Sequence, residues 1–264
     1  MNIVVCVKQV IDPEAPPASF KINEANNRAE MRGAPPVIDP YGEYAVEAAL
    51  RLKEAKGGKI TIITLGINLL REVVKKPLAM GADELILLED EAFSSGDGWS
   101  TAYALAMAIK KKGDFDLILC GREASDTNAG QTGAAIAEIL GLPCVTLARK
   151  IEASDNKLRI ERVNSSGYDV IESPLPTVVT VSNEIGQPRY PTIKGIMTAK
   201  KIEPLVWKPA DISLDLSTGT GNRRTKIYKL FQPVYEGKCE FISGETPEEM
   251  AVNLAEKLRE SKVL

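Results

Sequence analysis

Residues 115–121 read Phe-Asp-Leu-Ile-Leu-Cys-Gly, an apolar run that ends at a glycine and leads directly into a polar loop. Comparable short apolar runs occur at 2–7, 59–65, 84–88 and 177–181. Apolar runs of this length, bounded by turn residues and rich in β-branched side chains, are typical of buried strands. The sequence therefore predicts a sheet built from these segments.

Helical patterns separate the predicted strands. Asp39 and Pro40 suit the N-cap and N1 positions of a helix that reaches about residue 55. Further helices are predicted over 68–80, 100–111 and 128–140. Pro77 should kink the first of these or end it early. Strands alternating with helices predict the α/β class, with a doubly wound, mostly parallel, Rossmann-like sheet.

The C-terminal part of the sequence differs from the rest. Residues 203–245 are polar, contain several prolines and glycines, and show little periodicity. Residues 246–249, Thr-Pro-Glu-Glu, are a strong helix start and lead into an amphipathic segment. A long irregular stretch is unusual inside a compact domain and suits an arm that lies against a partner. We expect an α/β domain over 1–202, and an arm with a terminal helix over 203–264.

Composition excludes several classes of function. The chain has no histidine, which excludes a Ser-His-Asp triad, a histidine base and every histidine-ligated metal site. Its four cysteines form no C-x-x-C pair, and three lie in apolar, strand-like contexts that predict buried free thiols. These counts exclude histidine-based sites, and the role that we expect for the chain, binding and docking, assigns it no catalytic side chain and no metal site. Any redox chemistry would come from a bound cofactor, which leaves open whether the chain is itself an enzyme.

Charge and hydropathy indicate the cellular setting. The formal net charge of −3 gives the chain no strong attraction to nucleic acid or to an anionic membrane. No apolar run approaches the roughly 20 residues of a membrane-spanning helix. The N-terminus has no leader pattern, and the cysteine usage fits a reducing compartment. We expect a cytoplasmic protein that neither spans a membrane nor binds nucleic acid.

The loop at 121–133, Gly-Arg-Glu-Ala-Ser-Asp-Thr-Asn-Ala-Gly-Gln-Thr-Gly, lies between a predicted strand and a predicted helix. Ligands of open α/β sheets bind at the carboxyl ends of the strands, and the amides at a helix N-terminus favour phosphate. Thr127, Asn128 and Thr132 could add hydrogen-bond donors. The loop fits neither G-x-G-x-x-G nor the Walker A pattern. An ordinary capped loop therefore remains the alternative to phosphate binding.

Two further segments are candidates for binding. Residues 37–43, Val-Ile-Asp-Pro-Tyr-Gly-Glu, could contribute to a ligand site or could simply cap the helix that follows. Residues 187–201 place prolines, a tyrosine, isoleucines, a methionine and lysines in one predicted loop. Apolar anchors with a basic rim suit a protein-docking surface, and a solvated loop is the alternative.

Over nearly its whole length the sequence resembles the β subunits of electron-transfer flavoproteins. The segments that carry the resemblance are 7–10 (Val-Lys-Gln-Val), 45–54, 79–83, 131–133, 175–180, 188–190 (Pro-Arg-Tyr) and 196–201 (Ile-Met-Thr-Ala-Lys-Lys). The resemblance implies a heterodimer with an α subunit that holds the redox-active FAD. It also implies a second adenine nucleotide, FAD or AMP, in this chain, and the 203–264 arm would wrap the α subunit.

The resemblance also assigns residues to sites. It implies a nucleotide pocket formed by Cys6, Asp39, Pro40, Tyr41, Gly42, Leu65, Gly121, Arg122, Glu123, Ala124, Ser125, Asp126, Thr127, Asn128, Ala129, Gly130, Gln131 and Thr132. Within a docking loop at 183–201, it implies that an acyl-CoA-dehydrogenase-type flavoenzyme is bound by Pro188, Arg189, Tyr190, Ile193, Lys194, Ile196 and Met197.

The second nucleotide is not decided by the resemblance. The loop at 126–133 matches neither the AMP-binding members nor those that bifurcate electrons from NADH on a second FAD. Residues 93–99 and 223–231 look more like the bifurcating members, which favours FAD. An AMP-binding, non-bifurcating carrier is the alternative, and a stand-alone nucleotide sensor is a more distant one. Val163 stands where many members carry an acidic residue, so the charge contact which that residue makes with the flavin domain is not expected here.

Overall fold

The computed structural model describes residues 1–23, 27–31, 33, 35–94, 96–214, 223–233, 237 and 239–263. Its strands are β1 (Asn2–Val7), β2 (Gln9–Val10), β3 (Phe20–Asn23), β4 (Arg28–Met31), β5 (Val37–Ile38), β6 (Lys59–Gly66), β7 (Glu84–Glu89), β8 (Leu117–Gly121), β9 (Cys144–Ser154), β10 (Lys157–Asn164), β11 (Gly167–Pro174), β12 (Thr177–Val181) and β13 (Leu205–Trp207). Its α-helices are α1 (Pro40–Lys56), α2 (Arg71–Val74), α3 (Lys76–Met80), α4 (Gly98–Lys112), α5 (Thr132–Leu140), α6 (Ile193–Lys201) and α7 (Pro247–Glu260). Short 3₁₀ helices occur at Pro17–Ser19, Glu91–Phe93, Asn183–Ile185 and Pro209–Ile212.

Within the described residues the main sheet has nine strands, in the order β11-β10-β9-β12-β8-β1-β6-β7-β13. All neighbours from β9 to β13 are parallel, and β9, β10 and β11 form an antiparallel meander at one edge. This architecture confirms the predicted α/β class with a mostly parallel sheet. From β1 the chain adds β6 and β7 on one side and then returns to add β8 on the other. The crevice between β1 and β8 is therefore the topological switch point of the sheet.

Side-chain alternation along the strands divides the core into two layers. Ile3, Val5 and Ile62 pack in the layer that contains α1 and α3. Val4 and Ile118 pack in the opposite layer, with α4 and α5. Because successive strand residues point to opposite faces, a continuous apolar run supplies both layers at once. This explains why the buried strands read as unbroken apolar segments in the sequence.

Several predicted helices differ from the observed ones at their ends. The segment at 68–80 forms two short helices, α2 and α3, that meet at Lys75, and Pro77 lies in the first turn of the second. The helix predicted from 128 begins at Thr132 instead, because Asn128 and Gly130 adopt left-handed φ angles of 48° and 62°. In both segments helices are present as predicted, and local backbone geometry accounts for their different bounds.

The segment at 183–201 was predicted to be a loop, and this is wrong for its second half. Residues 193–201 form helix α6, whose N-cap Thr192 accepts a hydrogen bond from the Gly195 amide.

Cys6 and Cys120 are buried as predicted, whereas Cys144 and Cys239 are exposed. Among the residues that the structure describes, no helix has both the length and the apolar character of a membrane crossing.

The chain forms two compact units, residues 1–229 and 230–264. The first contains the main sheet, including its edge strand β13, and the second contains α7. Residues 215–222, 234–236, 238 and 264 of the predicted arm lie outside the described residues, as does residue 95 of the 93–99 segment. The role of residues 203–264 as an arm around a partner stays a prediction.

Ile118 tests the core directly. It is fully buried in the middle of β8, between Val4 of β1 and Val178 of β12. We expect Ile118→Ala to lower the free energy of unfolding by about 2–5 kcal/mol, because it leaves a cavity in a close-packed layer. The same change at Ile193, which is 80% exposed, should alter it by less than about 0.5 kcal/mol. Urea unfolding of the purified variants measures both values, and equal losses would contradict this description of the core.

Candidate functional site

The loop that follows β8 reaches the carboxyl edge of the sheet at the switch point. There the ends of β1 and β8 lie side by side, with Cys6 and Cys120 as register partners. Residues 122–131 connect β8 to the start of α5. The structure thus places the polar loop where ligands of doubly wound sheets bind.

Asp39 joins three segments at this edge. Its backbone amide donates to the Lys8 carbonyl just after β1 (2.8 Å). One carboxylate oxygen caps α1 by accepting from the Gly42 amide (3.2 Å), and the other accepts from the Ser125 amide (2.7 Å). The residue is only 3% exposed. Because a carboxylate is favoured beside a helix N-terminus, the charge of Asp39 can be buried here and hold the loop against α1.

Gly121 is required by the close approach of two backbones. A Cβ at this position would lie 2.7 Å from the carbonyl carbon of Tyr41. Gly133 is similarly restricted, since a Cβ there would lie 2.5 Å from Cγ2 of Thr180. The end of β8 can therefore pack closely on Tyr41, and the first turn of α5 on Thr180, only because Gly121 and Gly133 carry no side chain.

The loop is shaped by its own backbone hydrogen bonds. The Arg122 amide donates to the Val181 carbonyl (2.9 Å), and the Asn128 amide donates to the Ala124 carbonyl (2.8 Å). Helix α5 starts at Thr132, and the amides of a first helical turn have no partner within the helix. These amides lie at the N-terminal end of α5, where the helix dipole favours an anion.

Charged side chains of both signs surround the loop. Lys8 contacts the Asp126 carboxylate at 2.6 Å, and Arg122 contacts Glu123 at 3.2 Å. The Arg122 guanidinium also lies 5.6 Å from the centre of the Tyr41 ring. Burial raises the pKa of the Tyr41 hydroxyl, and the carboxylate of Glu123 raises it further. Lys8 and Arg122 are therefore two cations that could bind phosphate at this edge.

Ser125 presents an unsatisfied hydroxyl. Its Oγ is buried and has no hydrogen-bond partner within the described part of the chain, although its amide is fixed by Asp39. A buried hydroxyl without a partner is unfavourable, and such groups are commonly satisfied by water or a ligand. Thr64 Oγ1 is also buried without a hydrogen-bond partner in the described ranges, but it lies on β6, outside the loop.

The structure brings most of the predicted pocket together. Residues 39–42 and 121–132 touch through the contacts of Asp39 with Ser125 and of Gly121 with Tyr41. Cys6 and Leu65 lie in the apolar layer beside α4 and α5, whereas Asp39 precedes α1 in the other layer. The two groups therefore approach the edge of the sheet from opposite faces.

The sequence analysis missed two residues of this edge. Lys8 follows β1 directly, which is a position where ligand-binding residues occur, and this signal could have identified it. Asp97 caps α4 by accepting from the Ser100 amide (2.9 Å), and it carried no comparable signal. A Cβ at the next residue, Gly98, would lie 3.5 Å from Oε1 of Gln131, so the start of α4 adjoins the loop.

Asp97 also holds a distant segment of the chain. Its second carboxylate oxygen accepts from the amides of Arg224 and Thr225, both at 2.8 Å. The Arg224 guanidinium lies 3.7 Å from the centre of the Trp99 ring. Burial alone would raise the pKa of Asp97, but the amides of Ser100, Thr225 and Arg224 outweigh it and hold this pKa well below its usual range.

The predicted docking residues divide into two groups. Tyr190, Ile193 and Met197 are 92%, 80% and 60% exposed, and Lys194 and Ile196 are exposed beside them. Pro188 and Arg189 are only partly exposed, and Arg189 is paired with carboxylates of α1. The structure thus presents an apolar surface on 190–197 that begins directly after an ion-paired anchor.

Asp39 gives a stability prediction. Asp39→Ala should lower the free energy of unfolding by about 1–3 kcal/mol, because it removes the cap of α1 and leaves the Ser125 amide unpaired. Asp126→Ala removes only a partly exposed ion pair with Lys8 and should cost less than about 1 kcal/mol. Denaturant unfolding of both variants compares them, and a smaller loss for Asp39→Ala would contradict the bridging role.

Asp97 gives a prediction on pH. A carboxyl whose folded pKa is depressed stabilises the fold above its unfolded pKa of about 3.9, and this stabilisation is lost as the pH falls through the folded pKa. Wild type should therefore exceed Asp97→Asn in unfolding free energy by the same amount at pH 8 and pH 5, and by less at pH 3. If the difference in unfolding free energy between wild type and Asp97→Asn already declines between pH 8 and pH 5, Asp97 is not held in its charged form.

Comparison with known proteins supplies the family. Residues 30–212 match the family described as the electron transfer flavoprotein domain. The chain is 38% identical to the electron transfer flavoprotein subunit beta of Megasphaera elsdenii and 35% identical to that of Bacillus subtilis, each over the full length of both chains. It is 37% identical, again over both full lengths, to the caffeyl-CoA reductase–Etf complex subunit CarD of Acetobacterium woodii. The chain therefore belongs to the electron transfer flavoprotein family, as a β subunit.

Proposed function

We propose that this β subunit binds an adenine nucleotide at the carboxyl edge of β1 and β8 and works as a heterodimer with an electron-transfer flavoprotein α subunit. The observation that carries the proposal is the state of Ser125. Its amide is fixed by the buried Asp39 carboxylate, while its hydroxyl is buried and has no hydrogen-bond partner among the residues that the structure describes. The loop is thus held in place before a ligand arrives, which reduces the entropy lost on binding.

The residues of this edge fit a nucleotide phosphate. After rotation of its side chain toward the open edge of the sheet, the Ser125 hydroxyl could donate to a phosphate oxygen, and the first turn of α5 offers amides and the positive end of its dipole. Lys8 and Arg122 supply positive charge once they turn from Asp126 and Glu123. The absence of a side chain at Gly121 allows the loop to lie close to α1. In this proposal these residues bind and orient the ligand, and none of them transfers a proton.

FAD is the nucleotide that we propose for this subunit, with AMP as the alternative. A bound flavin would supply hydride and single-electron chemistry here, whereas AMP would be structural. The relative named as a subunit of a caffeyl-CoA reductase–Etf complex supports a role beside an enzyme that acts on acyl-CoA compounds. With FAD in this subunit, NADH is the proposed hydride donor for bifurcation, and the proposed docking partner is an acyl-CoA-dehydrogenase-type flavoenzyme.

Exposed apolar side chains support contact with an α subunit. In the first compact unit, Ile227 and Tyr228 are 62% and 94% exposed. In the second, Phe241 is 89% exposed, and Val252 and Leu254 of α7 are also exposed. Large apolar side chains exposed in this number are typical of surfaces that a partner covers. Their positions after residue 203 agree with the arm that the sequence predicted.

Nucleotide content tests the proposal. The heterodimer, purified and denatured, should release two FAD and no AMP per complex. One FAD and one AMP would exclude a flavin in this subunit but would retain its nucleotide site. One FAD with no second nucleotide would contradict the proposed site itself.

Two serine substitutions test the location. Ser125→Ala should weaken nucleotide binding by about tenfold, because one hydrogen bond to a charged group is lost, and should leave the unfolding free energy almost unchanged. Ser173→Ala is the matched control, since its hydroxyl is buried but bonds Thr177 Oγ1 at 3.0 Å in the meander region. It should lower stability and leave nucleotide affinity unchanged. Wild-type affinity in Ser125→Ala would place the ligand elsewhere.

A further inference from the structure

Glu47 lies in the middle of α1 and is a buried charge, with a side chain only 4% exposed. Its carboxylate accepts hydrogen bonds from Nε and Nη2 of Arg189 at 2.8 and 3.1 Å, and from the Arg189 amide at 3.1 Å. It also accepts from Nε of Arg51 at 2.8 Å. Burying a carboxylate is unfavourable unless it is paired and hydrogen-bonded, and these four bonds supply the pairing.

The Arg189 guanidinium lies between two carboxylates of the same helix. Glu54, seven residues after Glu47 and therefore two turns along α1, binds its Nη1 and Nη2 atoms. The carboxylates of Glu54 and Glu47 raise the pKa of Arg189 above its already high usual value. Burial alone would raise the pKa of Glu47, but the hydrogen bonds from Arg189 and Arg51 outweigh it and lower this pKa. Both partners therefore stay charged at neutral pH.

Arg51 extends these contacts to the residues before Arg189. Its Nη1 donates to the Ile185 carbonyl at 2.7 Å, and its Nη2 donates to the Gln187 carbonyl at 3.4 Å. Residues 185–189 are thus fixed to α1 through both backbone and side chain. We call the contacts between Glu47 and Arg189 the Glu47–Arg189 clamp.

The apolar surface of Tyr190, Ile193 and Met197 begins at the residue after the clamp. At its other end, α6 packs closely on α3, since a Cβ at Gly195 would lie 2.2 Å from the Ala79 carbonyl oxygen. Between these two points no extensive core holds the surface, because its large side chains point into solvent. The conformation of residues 190–192 therefore depends on the clamp at one end and on α6 at the other.

We propose that Glu47 and Arg189 are positioning residues, which hold the 190–197 surface in the conformation that docks a redox partner protein. The inference rests on the proposed docking function of this surface. A surface that is already ordered loses less conformational entropy on binding, so the clamp strengthens docking without touching the partner or the flavin. Loosening it should weaken the encounter and leave electron transfer within the docked complex unchanged.

The experiment uses the intact heterodimer, with an acyl-CoA dehydrogenase reduced by its substrate as the electron donor and a dye as the final acceptor. The two clamp variants are Glu47→Gln and Arg189→Lys. The first keeps the shape of the side chain but removes its negative charge, and the second keeps the positive charge but removes the guanidinium group that binds with two nitrogens. Each should raise the KM for the dehydrogenase by about tenfold, or about 1.4 kcal/mol, with kcat and nucleotide content unchanged. Hydrogen exchange should become faster at the amides of 187–192.

Two further variants separate the possible outcomes. Ile193→Ala should raise the KM while leaving hydrogen exchange at 187–192 as in wild type, because it alters the surface and not its anchor. Glu172→Gln is the matched control, since it removes an exposed ion pair with Lys157 (2.6 Å) in the meander, and it should change neither quantity. If Glu47→Gln does not fold, Arg189→Lys decides, because it leaves Glu47 paired with Arg51.

A raised KM for Ile193→Ala together with a wild-type KM for folded clamp variants would overturn the positioning role alone. A wild-type KM for Ile193→Ala would overturn the docking function, and the positioning role with it. If the clamp variants lose kcat, nucleotide content and stability to the same extent as affinity for the dehydrogenase, the clamp has a general structural role, and this result would also overturn the proposal.

Discussion

The buried carboxylate of Asp39 is the interaction on which the arrangement of this protein depends. It caps α1, it holds the loop after β8 through Ser125, and its own backbone is bonded to the end of β1. One residue therefore fixes the relative positions of three segments at the switch point of the sheet, two through its side chain and one through its backbone. Without it, the loop would keep backbone bonds such as that of the Arg122 amide to the Val181 carbonyl but would lose its attachment to α1. Part of the binding free energy would then be spent on ordering the loop.

Helix α1 links the two proposed functional surfaces of the chain. Its cap at Asp39 holds the loop that we propose binds a nucleotide, and Glu47 holds the residues before the proposed docking surface through Arg189. The two carboxylates are eight residues apart, which is about 12 Å along a helix. Because α1 is packed against β1 and β8, a rigid helix anchored in the core supports both surfaces. In the proposed function the chain contributes position and order, and a bound cofactor would supply the chemistry.

The sheet was largely predictable from the sequence, because strands buried on both faces must be apolar throughout. The meander of β9, β10 and β11 was not predicted, since its strands alternate buried residues such as Leu158 and Ile160 with charged ones. That period-2 alternation was a usable signal. Helix α6 was interpreted as a loop because the segment combines prolines and a tyrosine with isoleucines, a methionine and lysines, a mixture that we took for exposed. The loop at 121–133 was predicted in its position but not in the late start of α5, which follows from φ angles at Asn128 and Gly130.

The contacts that organise the sites could not be predicted in this way. Asp39 and Ser125 are 86 positions apart, and Glu47 and Arg189 are 142 apart, so no local pattern pairs them. The resemblance to a known family identified the segments that carry these residues. Only the folded chain shows which side chain binds which backbone, and why Asp39 and Glu47 can be charged while buried.

A crystal structure of the heterodimer with its bound nucleotides tests the central claim most directly. The account predicts that nucleotide phosphates in this subunit contact Ser125 Oγ and the first turn of α5, with the bond between Asp39 and the Ser125 amide intact. A nucleotide bound elsewhere would contradict it, for example in the cleft at the amino ends of the strands, which is lined by Lys56 and Asp116. Phosphates bound at this edge with the bond from the Ser125 amide to the Asp39 carboxylate broken would contradict the role assigned to Asp39.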